Sequence, residues 1–80
     1  MWYLYILECA DRSLYTGIAL DVRRRVREHA SGKGSRYTRS RLPVRLVYEE
    51  TCGTRSWALK REVRVKRLTR RQKLDLVKSL

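Results

Sequence analysis

Five side chains in this sequence could together handle a phosphate: Tyr5, Tyr15, Arg25, His29 and Glu62. A guanidinium offsets the charge that builds on a pentacoordinate phosphorus, and an imidazole moves protons near neutral pH. A tyrosine whose pKa is lowered or assisted delivers water. One carboxylate is enough for a Mg²⁺ ion that keeps most of its waters and takes phosphate oxygens directly. The other acids do not offer a different plan. Asp11 falls in a turn, Asp21 caps a helix, Glu28 faces outward, Glu49 and Glu50 end a strand, and Asp75 sits on the last helix. A two-metal nuclease needs clustered carboxylates, and this spacing does not supply them.

The elements that must position these groups can be read from periodicity. Trp2, Leu4 and Ile6 alternate with Tyr3, Tyr5 and Leu7, the pattern of a half-buried strand. Ala10-Asp11-Arg12-Ser13 reads as a turn and Leu14 to Ile18 as the return strand. A three-residue loop sets Leu7 against Tyr15 and Tyr5 against Gly17, which brings the two hydroxyls onto one face. A two-residue loop would separate them. As ordinary strand aromatics, these tyrosines would carry no chemistry at all.

Asp21 is a good N-cap for a helix whose Val22, Val26 and Ala30 recur at i, i+4 and i+8. Arg25 and His29 then sit one turn apart beside the valine stripe, either as solvated surface or as a phosphate and proton pair. Ser31 to Leu42 reads as a basic loop. Its Lys33, Arg36, Arg39 and Arg41 could follow a phosphate backbone, and Tyr37 could stack on a base or merely pin the loop. Pro43 opens a third strand that ends near Cys52 and Gly53. A second helix runs from Trp57 to about Leu68, with Glu62 in its apolar sector. There the carboxylate needs an arginine, a cation or a raised pKa. Thr69-Arg70-Arg71-Gln72 fits a capping box opening a final helix through Leu74, Leu76, Val77 and Leu80.

Eighty residues with 42% hydrophobic content make one small α+β domain, 1–80, in the order β-β-α-β-α-α. Twenty basic residues against eight acidic ones leave a net charge of +12, and this excess points to a polyanionic partner. Nucleic acid is favoured over membrane, because no long basic amphipathic helix stands apart from the core. Cys9 and Cys52 form neither a zinc constellation nor a CxxC pair and read as buried, reduced thiols. The apolar start lacks the flanks of a signal peptide, so a cytoplasmic protein is expected.

In order and spacing, these residues resemble the GIY-YIG nuclease superfamily, specifically its small stand-alone bacterial branch. Leu4-Tyr5-Ile6 stands at the first tripeptide and Tyr15-Thr16-Gly17 at the second, with Leu4 and Thr16 replacing the Gly and Ile of the family name. Arg25 matches the helix arginine, His29 a position that carries His or Tyr in relatives, and Glu62 the metal-binding glutamate. The resemblance implies a small three-stranded, mainly antiparallel sheet flanked by three helices. It also implies Mg²⁺-dependent hydrolysis of DNA phosphodiesters, with Mn²⁺ as a substitute and no small-molecule cofactor.

Under that resemblance Tyr5 is the general base and Tyr15 orients water and phosphate, roles the two could exchange. Arg25 steadies the transition state, His29 assists, and Glu62 binds the metal. Several relatives carry an Asn about three helical turns after the glutamate, near Leu74 here, whereas this chain contains no Asn. Relatives also usually carry a separate DNA-reading domain. Affinity here must come from the basic surface or from a partner protein that supplies targeting. The expected activity is structure-sensitive cleavage of branched, nicked or single-stranded DNA in repair or recombination. The alternative is a nucleic-acid-binding module of the same fold that cleaves weakly or not at all.

Overall fold

A computed structural model describes residues 1–79. β1 (Trp2–Glu8) and β2 (Leu14–Ala19) form an antiparallel hairpin, and β3 (Arg45–Gly53) pairs with the other edge of β1, giving the strand order β2-β1-β3. The hairpin register is that of the three-residue loop: Leu7 opposes Tyr15 and Tyr5 opposes Gly17. The backbone N–H of Arg12 donates to the Cys9 carbonyl, and Arg12 then adopts a positive φ of 71°. A tight turn followed by one left-handed residue is the usual way to close a three-residue hairpin.

As the central strand, β1 is buried on both faces rather than one. Leu4 to Leu7 are all at most 1% exposed. The alternation therefore sorts two cores instead of core from solvent. Leu4 and Ile6 pack with Tyr48, Cys52, Ala58 and Val65, while Tyr5 and Leu7 pack with Ala19 and Val22. β3 keeps no simple alternation. Register shifts opposite Trp2/Tyr3 and Ile6/Leu7 make Cys52 and Val47 extra residues, so Val47 joins the same core as Tyr48 and Leu46 is left 38% exposed. The strand also starts at Arg45, two residues past Pro43.

α1 (Val22–Ala30) begins where Asp21 accepts the Arg24 N–H. The segment read as an irregular basic loop contains one helical turn, α2 (Arg36–Arg39), because the Ser35 hydroxyl caps the Thr38 N–H. α3 (Arg55–Lys66) starts two residues before Trp57, since Thr54 is its N-cap. α4 (Arg70–Lys78) opens on the Thr69–Gln72 capping box, and its Leu76 and Val77 cover the Leu4 core. The expected continuation of its apolar face at Leu80 lies outside the described residues. Cys9 and Cys52 are buried and free. Among the described residues no helix is long and apolar enough to cross a membrane.

Leu4 has no exposed surface and lies on the central strand. Leu4→Ala is expected to lower the unfolding free energy by about 3 kcal/mol, read as a shift of the urea midpoint with unchanged slope.

Candidate active site

The face of the sheet that packs on α1 carries the polar constellation. Tyr5 points along the sheet toward β2, and its ring lies over Gly17. A Cβ at Gly17 would come within 2.5 Å of the Tyr5 hydroxyl oxygen. The missing side chain at Gly17 is therefore a physical requirement for Tyr5 to lie there. Past that point Tyr5 Oη meets His29 Nε2 at 2.8 Å, and both residues are at most 1% exposed.

His29 is thus neither solvated nor at the rim of the core. Its other ring nitrogen, Nδ1, lies 2.8 Å from Thr38 Oγ1, and Thr38 too is fully buried. The Thr38 hydroxyl also lies 3.3 Å from the Ser35 carbonyl and 3.0 Å from Ser35 Oγ, so acceptors other than Nδ1 are within its reach. With its proton on Ser35, Nδ1–H donates to Thr38 and the Nε2 lone pair accepts the Tyr5 O–H. Gly34 closes the other side of the ring, where any Cβ would overlap the imidazole.

The electrostatics agree with a neutral pair. Burial pushes the Tyr5 pKa up to about 12, against lowering by the nearby Arg25; the negative fields of Tyr15 and Glu62 raise it further. Burial also lowers the His29 pKa below its usual 6.5, helped by the positive charge of Arg25. Burial opposes the charge of Arg25 itself, but hydrogen bonding to Glu28 and Tyr5 outweighs it and holds the pKa above the usual value. The guanidinium donates to Glu28 Oε1 at 3.2 Å and to the Gly34 carbonyl at 3.1 Å. Its side chain keeps 33% exposure, so one edge remains open to solvent.

Tyr15 lies edge-on to His29 at 5.1 Å and stacked on Tyr37 at 5.9 Å between ring centroids. Arg41 covers the Tyr37 ring at 3.8 Å and donates to Asp11 at 3.1 Å. Tyr37 therefore pins its segment to the hairpin, and Arg41 closes that clasp. Lys33, Arg36 and Arg39 are exposed.

Glu62 is 19% exposed at its side chain and meets Lys66 one helical turn on, at 3.3 Å. The arginine–glutamate pair conceivable at this position occurs elsewhere: Arg61 forks onto Glu50 at 2.7 and 3.2 Å. Among the described residues no three His, Cys, Asp or Glu side chains gather into a metal cage. A hydrated Mg²⁺ held by one carboxylate and completed by phosphate oxygens fits this donor set.

Sequence reasoning missed Gly34, Ser35 and Thr38. The available signal was Ser35 three residues before Thr38, the spacing of a capped turn.

Residues 1–75 match the model of the GIY-YIG catalytic domain. The chain belongs to the GIY-YIG family. A UPF0213 protein of Desulfotalea psychrophila is 56% identical over 98% of this chain and 72% of its own length. Another, from Haloquadratum walsbyi, is 55% identical over 96% of this chain and 86% of its own. Among solved structures, the NMR structure of a UPF0213 protein from Bacillus halodurans aligns with a TM-score of 0.62 at 51% identity, covering 98% of this chain and 84% of that one. An E. faecalis protein gives 0.64 at 43% identity, over 96% and 82%. The GIY-YIG tyrosines, read as Tyr5 and Tyr15, meet on one face through the hairpin register.

A histidine whose folded pKa lies below its unfolded value destabilises the fold as the unfolded chain takes up the proton. Stability is expected to be flat between pH 6.5 and 7.5 and to decline just below pH 6.5. The buried Cys9 and Cys52 thiols, held above their usual 9.0 by burial, act only at more alkaline pH. Glu50, depressed from its usual 4.5, acts only at more acid pH. Denaturant titrations from pH 7.5 to 5 should show this limb in the native chain and not in a folded His29→Gln variant.

Proposed function

We propose that this chain is a metal-dependent endonuclease that hydrolyses phosphodiesters of branched, nicked or single-stranded DNA in repair or recombination, with RNA as the alternative polymer. The observation that carries the reading is the buried Tyr5–His29 hydrogen bond at 2.8 Å, inside a GIY-YIG catalytic domain. A tyrosine with a pKa near 12 is no base by itself at neutral pH. Tied to a neutral imidazole it becomes one: its oxygen takes a proton from the attacking water as its own proton passes to His29 Nε2. The resulting hydroxide forms the new P–O bond, the scissile P–O bond breaks, and the leaving oxygen is protonated from solvent.

Arg25 supplies fixed positive charge beside that oxygen and offsets charge on the transition-state phosphate. Tyr15, packed against His29, orients water and phosphate. Glu62 is the residue that would hold Mg²⁺ or Mn²⁺, an ion that supplies charge neutralisation at the phosphate oxygens when bound. Lys33, Arg36 and Arg39, all exposed, are the phosphate contacts of this face. The net charge of +12 supports a nucleic-acid substrate. The reading places the protein in the cytoplasm, with a partner protein contributing targeting. Binding without cleavage is the second reading, favoured by the missing Asn.

Cleavage of labelled single-stranded, duplex, flap and four-way-junction DNA, with Mg²⁺, Mn²⁺ or EDTA, tests both. Glu62→Ala and Tyr5→Phe should each slow cleavage by about 100-fold or more while DNA affinity stays nearly constant. Full Mg²⁺-dependent activity in Glu62→Ala would sink the metal assignment. Native protein that binds these DNAs without cutting any would establish the second reading. Arg36→Ala and Arg39→Ala should instead weaken binding, each reducing the log–log salt slope by about 0.7 to 0.9.

A further inference from the structure

The proposed chemistry makes no use of the outer side of α3. There Trp57, Lys60, Arg64 and Arg67 line a groove of about 600 Å³ beside the Arg61–Glu50 pair. At 100° per residue each of these four lies roughly 140–160° round the helix from Glu62, so the groove is a surface apart from the site. Trp57 is 58% exposed and the neighbouring Val63 49%. The only acid lining the groove is already neutralised. Arg61 forks onto Glu50, Tyr48 donates to the same carboxylate at 2.5 Å, and these bonds hold its pKa below the usual value despite burial.

Lys60, Arg64 and Arg67 have no carboxylate partner among the described residues. Like charges one turn apart on a helix oppose one another and destabilise it. The C-terminal end of α3 favours Arg64 and Arg67, but no carboxylate among the described residues answers the three cations, so an external anion is the natural counterpart. The charge extends beyond the groove: ten of the twenty Lys and Arg residues fall between 55 and 78, against Glu62 and Asp75 alone.

Cations spaced along a helix beside an exposed indole match one ligand chemistry in particular, phosphates joined to flat aromatic faces. An acidic peptide would answer the cations and leave the indole in water. We propose that this groove binds an unpaired strand of nucleic acid, with phosphates on Lys60, Arg64 and Arg67 and a base stacked on Trp57. The inference rests on the nuclease reading above and adds to it a second contact surface, one that selects substrates with a single-stranded arm.

The test measures binding of a labelled oligothymidine of about 15 nucleotides, with a duplex of equal length and a polyglutamate peptide as comparison probes. In a Trp2→Phe background, emission reports Trp57 alone. Oligothymidine should quench it, and Trp57→Ala should weaken single-strand affinity by about 10-fold. Trp57→Phe should restore most of that loss, since a phenyl ring also stacks. Lys60→Ala and Arg64→Ala should each lower the salt slope by about 0.7, and the Trp57 variants should leave duplex binding unchanged. Oligothymidine affinity that is native-like in all four variants, yet weakened by Arg36→Ala, would overturn the groove while leaving the nuclease reading standing. Quenching by polyglutamate but not by oligothymidine would overturn it in favour of an acidic protein partner. Failure of the native chain to bind any nucleic acid would remove both readings together.

Discussion

A phenol and an imidazole, both neutral and both at most 1% exposed, are joined by one hydrogen bond between β1 and α1. Such a bond forms only where backbone on either side leaves room for two rings. Gly17 makes that room beneath Tyr5, and Gly34 makes it against His29. In a dry setting the pair is worth more than in water, and either partner left alone would be costly. Much of the rest of the molecule can be understood as holding this gap open at the right width.

The sheet does so from one side. Because β1 is central, its two faces feed two cores, and the Leu4–Ile6 core with α3 and α4 anchors the strand that presents Tyr5. The segment 31–42 does so from the other. Its Gly34 carbonyl takes Arg25, its Thr38 hydroxyl meets the far imidazole nitrogen, and its Tyr37 is clamped between Tyr15 and Arg41. The short connection therefore acts as the back wall of the site. It also presents Lys33, Arg36 and Arg39 to solvent, so one segment holds the buried imidazole and displays positive charge.

Arg25 and Arg61 show how position decides what an arginine does. Arg61 is spent on Glu50, a fork that ties α3 to β3. Arg25 has softer obligations, a helix-surface glutamate and a backbone carbonyl, and keeps an open edge toward solvent. A phosphate could displace the first without unmaking the fold, because an exposed i,i+3 ion pair contributes little. Glu62 is held as loosely, by a lysine that is itself half exposed.

Local chemistry was enough to read most of the elements. Asp21 and Thr69 mark two helix starts because a side-chain oxygen beside a free N–H is a short-range matter. The hairpin itself was legible but two registers were open, and the structure has the three-residue loop that sets Tyr5 and Tyr15 on one face. Long-range packing decided the rest. Whether His29 faced water or Tyr5 depended on α1 docking against β1, residues 24 apart in sequence. The partner of Glu62, the bulges in β3 and the roles of Gly34 and Thr38 likewise depend on which surfaces meet. The sequence alone determined which groups were available and roughly on which elements. Only the tertiary structure decided which of them lost their water, and burial is what moves the Tyr5 pKa up and the His29 pKa down from their ordinary values.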